Sequence, residues 1–189
     1  MSTRDLHITG VIVGGKGTGK STKLAEIASK YPENKKVLIL DVNGSPAYNT
    51  FTQVDISKIK RLNRGVVRMM GTPDEETLKT IAKDFRNGLI IFEDCTKYIF
   101  GYVSPEIKTF LVDHRMYGCD LIFTFHSLKM IPPFFWQMIS YVTISKTLEN
   151  FINGQNRERV PNYEAIADAF QKVKASDDKY FSITVETGI

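Results

Sequence analysis

A chain of 189 residues with 42% hydrophobic content is long enough for one domain, expected to span residues 1–189, with a sizeable core. It has no apolar run near the ~20 residues of a membrane span, and its opening Met1-Ser2-Thr3-Arg4-Asp5 lacks the apolar segment of a signal peptide, so a cytoplasmic location is expected. The net charge of +4 suits a nucleic-acid partner without demanding one, and the two distant cysteines, Cys95 and Cys119, read as structural thiols rather than metal ligands.

The apolar run Leu6 to Val13 reads as a strand, and it leads into Gly14-Gly15-Lys16-Gly17-Thr18-Gly19-Lys20-Ser21-Thr22. Gly14, Gly19, Lys20 and Ser21 have the spacing of a phosphate-binding loop, and a helix-like run from Lys20 to Tyr31 follows. In such a strand–loop–helix unit the glycines allow a tight fold that turns backbone N–H groups toward the phosphates of ATP. Lys20 would reach the β- and γ-phosphates, and the Ser21 hydroxyl would hold Mg²⁺. Lys16 has two readings, a second phosphate or subunit contact and a solvated loop charge. Leu24, Ile27, Ala28 and Tyr31 repeat at helical spacing, and Pro32 closes the helix.

Lys36 to Val42 is a nearly continuous apolar run, as expected of a parallel strand buried on both faces. Asp41 near its end reads as a turn former before Asn43-Gly44, with a ligand-facing role as the alternative. Residues 45–64 carry little pattern beyond a short helix around Ile56 to Leu62, and Val66 to Met69 forms a short strand. Thr72-Pro73-Asp74-Glu75 predicts a helix start with Thr72 as its cap; Leu78, Ile81, Ala82 and Phe85 give the apolar face, and Asn87-Gly88 ends it.

Leu89-Ile90-Ile91-Phe92-Glu93-Asp94 describes a buried strand that delivers two carboxylates to the sheet's edge. A turn uses one acid; it has no need of two. Beside a phosphate loop, this is where a second magnesium ligand and a water-activating carboxylate belong.

Ser104-Pro105-Glu106 starts the next helix, with Ile107, Phe110 and Leu111 on its buried side and Gly118 beyond its end. Cys119 to Phe125 is a strand that delivers His126 and Ser127 to its carboxyl end. Pro132-Pro133 precedes a short apolar segment with Trp136, and Ser140 to Ser145 is another strand. The polar run Lys146 to Arg159 is expected to be an exposed excursion. Tyr163, Ile166, Ala167, Phe170 and Val173 lie at helical spacing, and the alternating segment Tyr180 to Glu186 reads as an edge strand.

Strands alternating with helices predict an α/β fold, a mainly parallel sheet with helices on both faces. The phosphate loop, the single strong strand at residues 36–42 and the paired acids together resemble the additional-strand, catalytic-glutamate (ASCE) division of P-loop NTPases. That resemblance implies that strand 119–125 lies between the phosphate-loop strand and the acidic one. The stretch Asp113-His114-Arg115-Met116-Tyr117-Gly118, followed by Cys119 to His126, is similar to the segment of FtsK- and HerA-type translocases in which an arginine late in a helix precedes a glycine, an apolar strand and a polar sensor. Its wording is nearest to Zot-like ATPases of filamentous phages and to small viral genome-packaging ATPases.

The resemblance implies a homo-oligomeric ring that hydrolyses ATP with Mg²⁺ to move double-stranded DNA, with a capsid or membrane component as a further partner. If the chain is viral, the location is the host-cell cytoplasm. Its catalytic residues would be Lys20, Glu93, Asp94, Arg115 and His126. Ser21 and Glu93 would hold the metal, Asp94 would activate water, His126 would sense the γ-phosphate, and Arg115 would act on a neighbour's nucleotide. Lys97 with Tyr98, and Lys129, are the DNA-contact candidates. Two departures stand out: the acids run Glu93 then Asp94, where the division has Asp then Glu, and His126 replaces the usual Gln or Asn. A neutral imidazole still donates one hydrogen bond, whereas the alternative is a histidine satisfied by local backbone. His7 and His114 read as structural. A kinase of small molecules or nucleotides, and a Zot-like assembly ATPase, are the rival readings; the first lacks an arginine-rich lid.

Overall fold

A computed structural model of the chain describes residues 7–99, 103–152 and 154–188. Leu6, assigned to the first strand by its hydrophobicity, and Asn153 of the polar run lie outside them. In chain order the regular elements are β1 (Thr9–Val13), α1 (Lys20–Lys30), β2 (Lys36–Asp41), β3 (Thr52–Gln53), β4 (Gly65–Met70), α2 (Glu75–Asp84) and β5 (Gly88–Phe92). There follow α3 (Pro105–Asp113), β6 (Cys119–Phe125), α4 (Pro133–Trp136), β7 (Tyr141–Ser145), α5 (Gly154–Arg157), α6 (Tyr163–Ala175) and β8 (Ser182–Glu186).

Among the described residues the strands form one eight-stranded sheet in the order β3-β4-β2-β5-β6-β1-β7-β8. Every pairing is parallel except β7 with β8. β6 sits between β1 and β5, the order that the sequence resemblance implies. This is the fold of phosphate-loop NTPases, and it is mainly parallel because each connection crosses over through a helix or a long loop. β2 and β5 are buried along their whole length, which is why both read as near-continuous apolar runs.

The two faces are covered unequally. On one, Ile12, Val37, Ile39, Leu89 and Ile91 pack under Leu24 and Ala28 of α1, with Tyr48 from the 3-10 turn Pro46–Tyr48. On the other, α2, α3, α4 and α6 cover a larger core that includes Leu40, Ile90, Phe92, Phe123 and Phe125. There Phe92 stacks on Phe123 with ring centroids 4.5 Å apart, and Phe135 meets Phe123 edge-on at 4.9 Å. Each such fully buried ring contributes ~1.5–3 kcal/mol from burial, and the offset and edge contacts add to it.

Several expectations shift on the structure. Asp74, not Thr72, caps α2: its carboxylate accepts from Thr77 N at 2.8 Å, and Glu75 and Glu76 fill the first turn. Asp is the stronger cap and adds charge at the positive end of the helix dipole, so the start moves two residues on. Ser104 caps α3 as expected, accepting from Ile107 N at 3.4 Å. That helix stops at Asp113, so Arg115 lies in the turn beyond it rather than late in the helix. The polar run 146–159 is anchored at two points, not simply exposed. Phe151 is fully buried against Tyr163 and Phe170, and Glu149 accepts from the backbone N–H of Leu128 and Lys129 at 2.7 and 3.1 Å. The two-residue strand β3 has no sequence signal. Cys95 and Cys119 are both buried and unbridged, as structural thiols should be.

Candidate nucleotide site

β6, β1 and β7 are adjacent and parallel, with Val13 level with Phe125 and Ile144, so their carboxyl ends form one rim. The loop after β1 is stitched to that rim: Gly14 N donates to Phe125 O at 3.2 Å, and Gly15 N to Lys146 O at 2.7 Å. A Cβ at Gly14 would lie 2.6 Å from Thr18 Oγ1 and 2.9 Å from Ser145 Cβ, so only glycine fits there. Gly17 and Gly19 have φ of 78° and 79°, the left-handed region that a side chain resists.

α1 begins without a side-chain cap and without an acidic residue in its first turn. Its leading N–H groups and its dipole are therefore left for an anion. Lys20 Nζ curls over the loop, donating to Gly14 O and to Gly15 O at 2.9 Å. Burial lowers its pKa, while the nearby charges of Asp94 and Glu93 oppose that fall. Lys16 is exposed on the same loop.

The acids end β5 facing this loop. The hydroxyl of Ser21 donates to Glu93 Oε1, and Tyr48 Oη donates to the same oxygen at 3.0 Å. Among the described residues Glu93 Oε2 is buried with no hydrogen-bond partner. Burial raises the pKa of Glu93; the bonds from Ser21 and Tyr48 oppose the rise, and the nearby carboxylate of Asp41 reinforces it. A hydroxyl and an orphaned carboxylate oxygen, converging beside an anion cradle, fit a small hard cation that takes oxygen ligands.

Asp94 is held differently. Its backbone N donates to Thr124 Oγ1 at 2.7 Å, which locks a φ of 48° unusual outside glycine. Its Oδ1 lies 3.0 Å from His126 Nε2 and accepts from Thr96 Oγ1 at 2.6 Å, while Oδ2 accepts from Asn43 Nδ2 at 3.0 Å and faces Lys97 Nζ at 3.6 Å. Burial alone would raise its pKa. The bonds from Thr96 and Asn43 and the charges of His126 and Lys97 outweigh that and hold Asp94 below the usual carboxylate range. Two adjacent acids thus have pKa values pushed in opposite directions, as sites that give them different tasks do.

The structure therefore brings together Lys20, Ser21, Glu93, Asp94 and His126. His126 is satisfied by a carboxylate of the site rather than by local backbone. Arg115 is elsewhere. It is exposed in the turn before β6, at the end of the sheet remote from the loop. Of the DNA-contact candidates, Tyr98 turns its hydroxyl inward to Glu93 O at 3.3 Å, and Lys97 is committed to Asp94 and Asn43, while Lys129 is exposed. His114 bonds to Cys119 O at 2.8 Å and Thr9 Oγ1 at 3.2 Å, a structural role. Asp41 is buried, accepts from Ser45 N at 2.9 Å and faces Arg68 at 3.4 Å, which makes it the turn former expected.

Tyr48, Asn43, Thr96 and Thr124 were not legible as site residues. Asn43-Gly44 carried only a turn signal, and Tyr48 sits in a segment with no periodicity.

Compared by sequence, the chain matches no family model and no curated protein. Its fold does match solved structures. The genome packaging NTPase B204 from Sulfolobus turreted icosahedral virus 2, in complex with ATPγS, superposes with a TM-score of 0.75 at 19% identity, over 95% of this chain and 92% of that one. The same protein in complex with AMP gives 0.74 at 18%, over 96% and 93%. The N-terminal domain of zonular occludens toxin from Neisseria meningitidis reaches 0.48 at 16%, over 75% and 78%.

Proposed function

We propose that this chain is an ATPase of a homo-oligomeric ring that moves double-stranded DNA, in viral genome packaging. The observation that carries the reading is the Ser21–Glu93 contact, which closes the phosphate loop onto the acidic strand with Asp94 and His126 beside it. The likeness of fold to a genome packaging NTPase supports it.

In this reading the loop amides and Lys20 bind the phosphates. Ser21 and Glu93 would hold Mg²⁺, which when bound draws charge from the phosphate oxygens. Phosphoryl transfer has a loose transition state that asks little of a base, so a carboxylate held well ionised is suited to orienting the attacking water. Asp94 does this, fixed by four partners, and His126, in contact with Asp94, would report on the γ-phosphate.

Asp94→Asn is expected to bind ATP and to hydrolyse it ~10²–10⁴-fold more slowly. Glu93→Gln is expected chiefly to raise the magnesium concentration needed for half-maximal turnover. Single-turnover rates over a magnesium series separate the two; a stalled, ATP-loaded Glu93→Gln would reverse the assignment.

For DNA, the segment 56–64 offers Lys58, Lys60, Arg61 and Arg64, all exposed and with no acid among them. Contacts of this kind are made to phosphates and carry no base information. Affinity for duplex DNA should therefore fall steeply with salt, by up to ~0.9 log unit per log unit of salt for each contact, and show little sequence preference. ATP turnover with and without duplex DNA, at several salt concentrations, tests the function; turnover indifferent to DNA would count against translocation.

A further inference from the structure

The turn that enters β8 carries an exposed tyrosine against the phosphate loop. Tyr180 is 58% exposed, and a Cβ added at Gly19 would lie 3.2 Å from its ring. The ring is a wall shared by two clefts. One, of about 400 Å³, runs from Thr18, Lys20 and Thr22 past Ile12 and Ser145. The other opens over Gly17 to Thr22 and toward Ser45 and Pro46.

The ring's place is fixed by local bonds. Tyr180 N donates to Asp178 Oδ1 at 2.8 Å, and Phe181 N to Asp178 O at 3.2 Å. Lys23 Nζ of α1 donates to Ser182 Oγ, tying β8 to the same helix that starts at the loop. Lys179 Nζ stands 4.7 Å from the ring centroid and so covers part of the ring with a cation.

The 400 Å³ cleft has the size of a small-molecule site and is mostly apolar, although it begins at Lys20 and Thr22. Whatever fills it is continuous with a group bound at Lys20 and Thr22. A phosphate chain has no use for apolar walls; a flat ring does. Lys23 and Glu26 at its margin supply polar contacts for ring edges or ribose hydroxyls.

We propose that this cleft seats the base of the bound nucleotide, with Tyr180 as its stacking platform and with purines favoured for their larger face. The inference rests on the nucleotide-binding reading of the loop. Stacking reads a face rather than a hydrogen-bond pattern, so ATP and GTP should bind comparably.

The test is calorimetric binding of ATPγS and of inorganic tripolyphosphate, which has the phosphates but no base. Tyr180→Ala should weaken ATPγS roughly 5- to 100-fold and leave tripolyphosphate unchanged, and Tyr180→Phe should restore ATPγS. Equal weakening of both ligands, or unchanged ATPγS binding, overturns the base seat while the phosphate loop stands, provided Lys20→Ala weakens both. Wild-type protein that binds neither ligand overturns the seat together with the loop reading.

Discussion

Lys20→Ala is expected to abolish ATP hydrolysis and to weaken ATPγS binding ~10²–10³-fold while the protein stays folded. An ammonium about 4 Å from a phosphate charge at intermediate dielectric is worth ~4 kcal/mol, and the loop amides keep part of the total. The fold should tolerate the change because Lys20 bonds to Gly14 O and Gly15 O, not to the core. Net loss from those bonds is about 1–3 kcal/mol at most. Calorimetry with ATPγS and thermal unfolding without ligand check both halves. Wild-type turnover would remove the phosphate-loop argument, whereas an unfolded variant would mean that Lys20 holds the loop together.

Arg115→Ala is expected to bind ATP normally and to hydrolyse it ~10³–10⁵-fold more slowly, because a guanidinium on the γ-phosphate oxygens offsets the charge spread there in the transition state. Arg115 is placed where it cannot serve its own subunit. The seven residues of β6 separate its turn from the rim, about 23 Å at ~3.3 Å per residue. In the ring proposed, any catalytic action would therefore be on a neighbour. Mixing Arg115→Ala with Lys20→Ala should restore part of the activity, since some interfaces then pair an intact loop with an intact arginine. Near-normal turnover by Arg115→Ala alone would make it a surface residue. No recovery on mixing, with subunit exchange shown separately, would rule out action across the interface.

What could be read from the sequence was whatever one element decides alone. Strands buried on both faces are nearly continuous apolar runs, so β2 and β5 stood out, and the glycine spacing of the loop follows from its own backbone geometry. Glu93 and Asp94 were conspicuous because a buried strand rarely ends in two acids. Illegible were the parts decided between elements. Tyr48 reaches Glu93 only once a 3-10 turn of no evident pattern folds against β5. Phe151 is one of three apolar residues, with Leu148 and Ile152, in a polar run, and its burial is set by Tyr163 and Phe170. Thr72 read as the cap of α2, and the fold puts Asp74 there instead. Tyr98 resembled an exposed aromatic until its hydroxyl turned inward.

The unequal covering of the sheet ties ligand to fold. Among the described residues, α1 is the one α-helix on its face, and it is the helix whose uncapped first turn follows the glycine-rich loop. Lifting α1 uncovers Ile12, Val37, Ile39, Leu89 and Ile91 at once, and it also dismantles the anion cradle. A ligand that binds only the closed arrangement opposes that local opening by RT ln(1 + [L]/Kd). In the function proposed, each cycle of binding and release would tighten and loosen the smaller of the two cores, and the fuel would act as a reversible clasp on the body that burns it.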